Sequence, residues 1–268
     1  MYLIYNNKKA SIKIYDIEGH FSFDKTIKLK INFNISGFSQ INSTNELYII
    51  GLSSFESLNI ESSFIFKFAP NEDQSNLITL INSLFPHYKP VLVEYNRIYI
   101  MVIGGNFSNK VEIYNKQLNH WRFLPDLPEI ISNGTALYNN YNELMYLFGA
   151  NNNNIYVLDM KEIIQWSLLS ITTPNNCNLS KQSMGAVLID NMIFLLGGSS
   201  NSQKSNEIVQ IDINTNEIVE NNSQLLKACT FELTQSINVD NNSFYLLDDQ
   251  LTVFSIERSN YCVNQFDI

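Results

Sequence analysis

The side chains best suited to metal or nucleophilic chemistry in this chain are its cysteines and histidines. They are Cys177, Cys229, Cys262, His20, His87 and His120. No two cysteines have the C-x-x-C spacing of a zinc site, no histidine is close to a cysteine in sequence, and no G-x-S-x-G nucleophile motif occurs. The sequence therefore predicts no catalytic residues, no metal site and no cofactor, and we expect a protein that is not an enzyme.

Two glycine pairs, Gly104-Gly105 and Gly197-Gly198, are also chemical candidates, because glycine-rich loops can bind phosphate groups. Neither pair continues as G-x-G-x-x-G or as G-x-x-x-x-G-K-[ST], so we interpret both as tight turns. The acidic pair Asp248-Asp249 indicates either a bound cation or a degenerate turn, and we prefer the turn.

Composition and charge limit the class of protein. The chain has 268 residues, of which 45% are hydrophobic and 12% aromatic, so it can bury a large core. Its formal net charge of -9 argues against broad binding to nucleic-acid phosphates. The chain is Asn-rich, but hydrophobic segments recur throughout, so we do not interpret it as a prion-like tract.

No stretch of the chain approaches the roughly 20 apolar residues of a membrane helix. The apolar stretch at residues 1–5 is too short for a signal-peptide core. An odd, small number of cysteines indicates free thiols in a reducing compartment. We therefore predict a cytoplasmic protein that binds neither membrane nor nucleic acid.

An internal repeat organises the chain. In each copy a short apolar run ends in a Gly pair or its remnant, and a second apolar run follows after a polar loop. The copies place equivalent positions at residues 6, 51, 104, 149, 197 and 248. A period of roughly 45–50 residues built from short Ile-, Val-, Tyr- and Phe-rich runs is typical of a β-propeller blade.

The clearest copy resembles the kelch repeat. Gly104-Gly105 is followed by Tyr114-Asn115, by Trp121 and by the Leu-Pro-x-Leu-Pro sequence of residues 124–128. The third copy matches well and the fourth and fifth fairly, whereas the first, second and sixth are degenerate. The resemblance covers nearly the whole chain, most securely residues 90–220, and it implies binding of a partner protein, either cytoskeletal or of the ubiquitin-ligase type.

The repeats predict an all-β fold, a β-propeller of six four-stranded blades in a single domain over residues 1–268. We expect Trp121 and Trp166 to pack between blades. Met1 opens directly into what corresponds to the second strand of the first blade, and the tail at residues 261–268 can supply either the last blade's fourth strand or the first blade's missing one. An incomplete ring, or a chain that is part of a longer protein, stays open.

Loops that follow the Gly pairs and loops between blades are the expected binding surface, because loops on a rigid scaffold carry function. Phe107 and Tyr88 are apolar residues in otherwise polar loops, so we expect them to be anchors. The predicted binding residues are Phe107, Tyr88, Asn106, His87, Asn152, Asn153 and Lys204. Two alternatives stay open: a propeller enzyme acting on a sugar or another small molecule, such as an isomerase or lyase, and a carbohydrate-binding propeller.

Overall fold

The computed structural model describes residues 2–6, 11–16, 22–28, 34–43, 46–54, 63–69, 78–149, 153–162, 165–171, 177–219, 224–231, 237–238, 243–248 and 252–267. Within these ranges the regular elements are all β-strands. The chain divides into two compact units, Met1–Ser132 and Asn133–Asp267. The single domain expected over residues 1–268 stays a prediction.

The first unit contains three antiparallel sheets. Sheet 1 has the order β1 (Tyr2–Asn6), β2 (Ser11–Asp16), β3 (Ser22–Lys28); sheet 2 has β4 (Asn34–Ser43), β5 (Glu46–Ser54), β6 (Ser63–Phe68), β7 (Ile78–Thr79); sheet 3 has β8 (Val91–Tyr95), β9 (Tyr99–Ile103), β10 (Val111–Asn115), β11 (His120–Leu124).

The second unit contains three more antiparallel sheets. Sheet 4 has the order β12 (Thr135–Asn139), β13 (Leu144–Phe148), β14 (Tyr156–Asp159), β15 (Ser167–Leu168); sheet 5 has β16 (Gly185–Ile189), β17 (Met192–Leu196), β19 (Gln203–Asp212), β18 (Ser199–Ser200), with β20 (Glu217–Val219) and β21 (Gln224–Cys229) also on β19; sheet 6 has β22 (Ile237–Asn238), β23 (Ser243–Leu247), β24 (Thr252–Glu257), β25 (Val263–Asp267).

In sheets 1 to 4 and in sheet 6 each strand pairs with its neighbours in sequence, which is the up-and-down order of a propeller blade. In sheet 5 the same order is interrupted only by the two-residue β18, so that β17 pairs with β19. The all-β, β-propeller fold class predicted from the repeats is therefore confirmed. One sheet lies at each predicted repeat, and every equivalent position lies at or near the end of a strand. Sheet 1 has three described strands, and the C-terminal β25 is the fourth strand of sheet 6.

Turn chemistry explains the repeated Asn or Asp that ends the third strand of a sheet. Asn115 Oδ1 accepts hydrogen bonds from the amides of Gln117 and Leu118, both at 2.9 Å. Asp159 and Asp212 do the same for the amide two residues later, both at 2.8 Å. A short side-chain acceptor in this position forms an Asx turn, so the residue type is fixed by local backbone geometry.

The cores lie between neighbouring sheets of the same unit. Sheets 2 and 3 share one cluster, which includes Ile50, Val102, Tyr114 and Trp121. Sheets 4 and 5 share a second, and sheets 5 and 6 a third. The Trp121 ring lies 5.0 Å from that of Tyr114, and Trp121 Nε1 donates to Ile81 O at 3.0 Å. Trp121 therefore packs between sheets as predicted, and Trp166 is also buried.

Candidate binding site

The Gly pairs of sheets 3 and 5 form the same turn. Gly104 N donates to Lys110 O and Gly197 N to Glu207 O, both at 2.9 Å. The residue after each pair also bonds to the segment that precedes its own sheet: Asn106 N donates to Tyr88 O and Ser199 N to Gln182 O, both at 2.8 Å. The Gly-pair loops are thus tied to the segment entering the sheet, and their backbone amides bond to protein carbonyls.

Glycine is required at Gly105 by conformation and by space. Its φ of 126° lies in a region that residues with a Cβ rarely adopt, and a Cβ there would lie 2.8 Å from Tyr88 O. The turn and the preceding segment are therefore in backbone contact. The loop that carries Phe107 is held firmly on this side.

The buried side chain of His87 also contacts the loop that carries Phe107. Its side chain is fully buried, and its two ring nitrogens lie 2.7 Å from Gly104 O and 3.1 Å from Glu112 Oε2. Because a carbonyl only accepts, Nδ1 carries a proton. The Nε2–Glu112 contact then holds one further proton, either as an imidazolium–carboxylate pair or as a neutral pair with the proton on Glu112.

Glu112 completes this link because its other oxygen accepts a hydrogen bond from Leu84 N at 3.0 Å. The side chain is fully buried on β10. Glu112 was missed at the sequence level. The available signal was an acidic residue inside the otherwise apolar strand Val111–Asn115.

The position of His87 recurs in the segments that precede sheets 4 and 5. Lys89, Asn133 and Ser183 all have φ between 50° and 54° and all lie two residues before the first strand of a sheet. The residues two positions earlier are His87, Ile131 and Lys181, and each is buried. Lys181 Nζ donates to Glu207 Oε2 at 2.6 Å. At this position sheets 3 and 5 therefore have a basic side chain paired with a glutamate of the third long strand, whereas sheet 4 has isoleucine.

The burial of His87 corrects the surface position expected for it. The segment is a polar-looking loop in the sequence, but its histidine points inward to a carboxylate that lies 25 residues later in the chain. His87 therefore positions the loop and is not itself at the surface.

Phe107 and Tyr88 come together at the surface, as the anchor hypothesis requires. The Phe107 side chain is 83% exposed, and its ring centroid lies 6.1 Å from that of half-buried Tyr88. In the same turn, Asn106 Oδ1 is buried without a hydrogen-bond partner among the described residues. Buried polar atoms without partners are uncommon in native folds, because each one lowers the free energy of unfolding. The Asn106 oxygen therefore makes this loop locally less stable.

The other predicted binding residues belong to the second unit or lie outside the described residues. Asn153 Oδ1 accepts from Leu179 N at 2.7 Å and Ser180 N at 3.0 Å, so its side chain fastens a neighbouring loop. Lys204 is exposed in the hairpin formed by β18 and β19. Asn152 lies outside the described residues.

Two buried tyrosines in the first unit have strongly perturbed acidity. Tyr48 OH donates to Glu46 Oε2 at 2.6 Å, and burial together with that carboxylate raises the pKa of Tyr48. Burial, with a smaller contribution from Glu46, raises the pKa of Tyr114 to about 12. Both hydroxyls stay protonated at neutral pH, so they act as hydrogen-bond donors and not as bases.

No group of three or more His, Cys, Asp or Glu side chains among the described residues is arranged to hold a metal ion. Asp248 Oδ1 accepts a hydrogen bond from Thr252 N at 2.7 Å, as in a turn; Asp249 lies outside the described residues. Within the described ranges there is no helix that is long and apolar enough to cross a membrane.

Comparison with known proteins finds no matching family and no matching curated protein. The fold class therefore rests on the strand order and the repeats.

Proposed function

We propose that this protein is a binding module that captures a partner protein through the loops that follow its Gly pairs. The observation that supports this most directly is the Phe107 ring, which is 83% exposed on a loop fixed by backbone hydrogen bonds and by the buried His87–Glu112 pair. A rigid exposed aromatic loses little conformational entropy on binding, which is typical of interface anchors.

Tyr88 extends this anchor, because its ring lies beside that of Phe107. The kelch resemblance supports a cytoskeletal protein or a ubiquitin-ligase component as the partner, and a cytoplasmic location. We therefore propose these partner classes as the first to test.

The test is affinity capture from cell lysate, with the bound proteins identified by mass spectrometry. Phe107→Ala and Tyr88→Ala should leave the fold intact and weaken capture, by about 10-fold or more for Phe107, because an apolar side chain of this size contributes about 1.5–3 kcal/mol on burial. Tyr141→Ala is a matched control, since Tyr141 is an equally exposed aromatic, at 81%, in the second unit.

Two results would oppose the proposal. Unchanged capture by both variants would show that the partner binds elsewhere. Loss of the folded state in both variants, measured by circular dichroism, would show that the two rings are structural.

A further inference from the structure

Strand β11 is the edge strand of sheet 3. It pairs with β10 over five residues, and no other backbone group among the described residues bonds to it. The fourth strands of sheets 2 and 4 have only two residues each, Ile78–Thr79 and Ser167–Leu168. β11, like the five-residue β25 of sheet 6, therefore presents a longer row of backbone amides and carbonyls than those two strands, about 17 Å in length, to which a further strand can add.

One side of this edge is mainly apolar, with the Lys110 ammonium 5.3 Å from the Phe85 ring centroid. Side chains alternate along a strand, so Trp121 and Phe123 share a face. Phe123 is 60% exposed, and its ring lies 5.4 Å from that of Phe85. Backbone groups of Ile81 and Leu84 are held at the same face, because Trp121 Nε1 donates to Ile81 O and Leu84 N donates to the Glu112 carboxylate. The side chains of Ile81 and Leu84 are each 48% exposed.

The other side of the edge is basic. His120 and Arg122 share it, and both are exposed. The Arg122 guanidinium lies 5.9 Å from the Tyr99 ring centroid, and none of the ion pairs formed by described residues involves Arg122. An exposed guanidinium that forms no ion pair with the described residues contrasts with the chain's net charge of -9 and is complementary to an acidic ligand.

We propose that the edge of β11 binds an extended segment of another protein in which apolar residues alternate with Asp or Glu. The segment adds to sheet 3 as a fifth strand through backbone hydrogen bonds. Its apolar side chains cover Phe123 and Phe85, and its carboxylates face Arg122. Successive side chains of a strand point to opposite faces of the sheet. A segment in which apolar and acidic residues alternate therefore places all its apolar side chains on one face and all its carboxylates on the other.

A charged residue on an edge strand also has a protective interpretation, since it discourages unwanted strand pairing. The two interpretations differ in what the edge does with a complementary peptide. A protective edge rejects every added strand, whereas a binding edge selects by charge.

The probe is a fluorescein-labelled peptide of about eight residues with alternating Glu and Val, long enough to cover β11 with a short overhang. Its binding to the full chain is measured by fluorescence anisotropy, beside a Lys-Val peptide of the same length and a Glu-Val peptide with methylated backbone nitrogens. We expect the Glu-Val peptide to bind and both comparison peptides to bind at least about tenfold more weakly.

Variants locate the site. Phe123→Ser should weaken binding by about tenfold, and Arg122→Glu should weaken the Glu-Val peptide while strengthening the Lys-Val peptide. Tyr141→Ala is the control, because Tyr141 is an exposed aromatic residue outside sheet 3, and it should bind the peptide normally. If Arg122→Glu fails to fold, Arg122→Gln replaces it, with a smaller expected loss.

Absence of binding at about millimolar peptide, equal binding of the three peptides, or binding that Phe123→Ser and Arg122→Glu leave unchanged overturns the proposal. The peptide experiment does not involve the Tyr88–Phe107 surface. Failure of the peptide to bind therefore does not contradict the proposal that the Tyr88–Phe107 surface captures a partner. Failure of the lysate capture likewise does not contradict the proposal for the β11 edge.

Discussion

Replacement of Glu112 by leucine should destabilise the first unit severely. The change keeps a similar side-chain volume but removes the acceptor of Leu84 N and the partner of His87 Nε2, both inside the protein. Breaking a buried hydrogen-bonded pair from one side costs about 3–5 kcal/mol. That is a large share of the roughly 5–15 kcal/mol that stabilises a typical domain.

The same reasoning gives a quantitative test through a double-mutant cycle. His87→Leu alone leaves the Glu112 carboxylate buried without its histidine, so it should cost a similar amount. The variant with both changes removes the pair together, so its loss should be smaller than the sum of the single losses by about 2 kcal/mol. Asp126→Asn is the control, because the Lys110–Asp126 pair is exposed and should contribute less than about 1 kcal/mol.

Urea unfolding followed by tryptophan fluorescence measures these losses. The chain has two tryptophans, and a Trp166→Phe background leaves Trp121 as the reporter of the first unit. A free energy of unfolding for Glu112→Leu within about 0.5 kcal/mol of the background protein would refute the structural role of the pair. Losses that simply add would show that the two side chains are not coupled.

Two further predictions follow from the same unit. Gly105→Ala should cost about 1–3 kcal/mol in the same unfolding assay, because φ of 126° is strained for alanine and its Cβ would lie 2.8 Å from Tyr88 O; an unchanged midpoint would contradict the turn geometry. Tyr114 has its pKa raised from 10.0 to about 12, so its stabilising contribution is complete below pH 10 and is lost as the pH rises to about 12. The free energy of unfolding of Tyr114→Phe should accordingly fall less steeply across that window than that of the unmodified chain, and equal slopes in a denaturation series would disagree with this.

Charge is distributed unevenly between the units, which composition alone conceals. Residues 133–267 hold 14 Asp and Glu against 5 Lys and Arg, whereas residues 1–132 hold 12 of each. The acidic excess therefore belongs to the second unit. The first unit, which contains the Tyr88–Phe107 pair and the β11 edge, is balanced, so an acidic ligand meets no net repulsion from it.

The repeat positions could be predicted because they are set by local chemistry. A Gly pair marks a turn with positive φ, and Asn115, Asp159 and Asp212 each accept a bond from an amide two residues later. These requirements involve only neighbouring residues, so they recur in the sequence at the period of the sheets. The exposure of Phe107 in its loop was predictable for a similar reason, since no apolar residue surrounds it in the chain.

The roles of polar loop residues were not predictable in the same way. His87 and Asn153 are both polar residues in loops, yet His87 is buried against Glu112 and Asn153 fastens residues 179–180. Lys89 and Ser183 both have positive φ although neither is glycine. Their two segments therefore share a backbone conformation that the residue types do not indicate.

By itself, the sequence determined the all-β fold class and the place of each sheet, because strand period and turn chemistry act over a few residues. Only the tertiary structure decided which polar side chains face inward and which edge stays unpaired. Burial of His87 depends on a carboxylate 25 residues away, and β11 has an open side because no described segment other than β10 pairs with it. Such pairings join distant segments, and no local pattern of residue types specifies them.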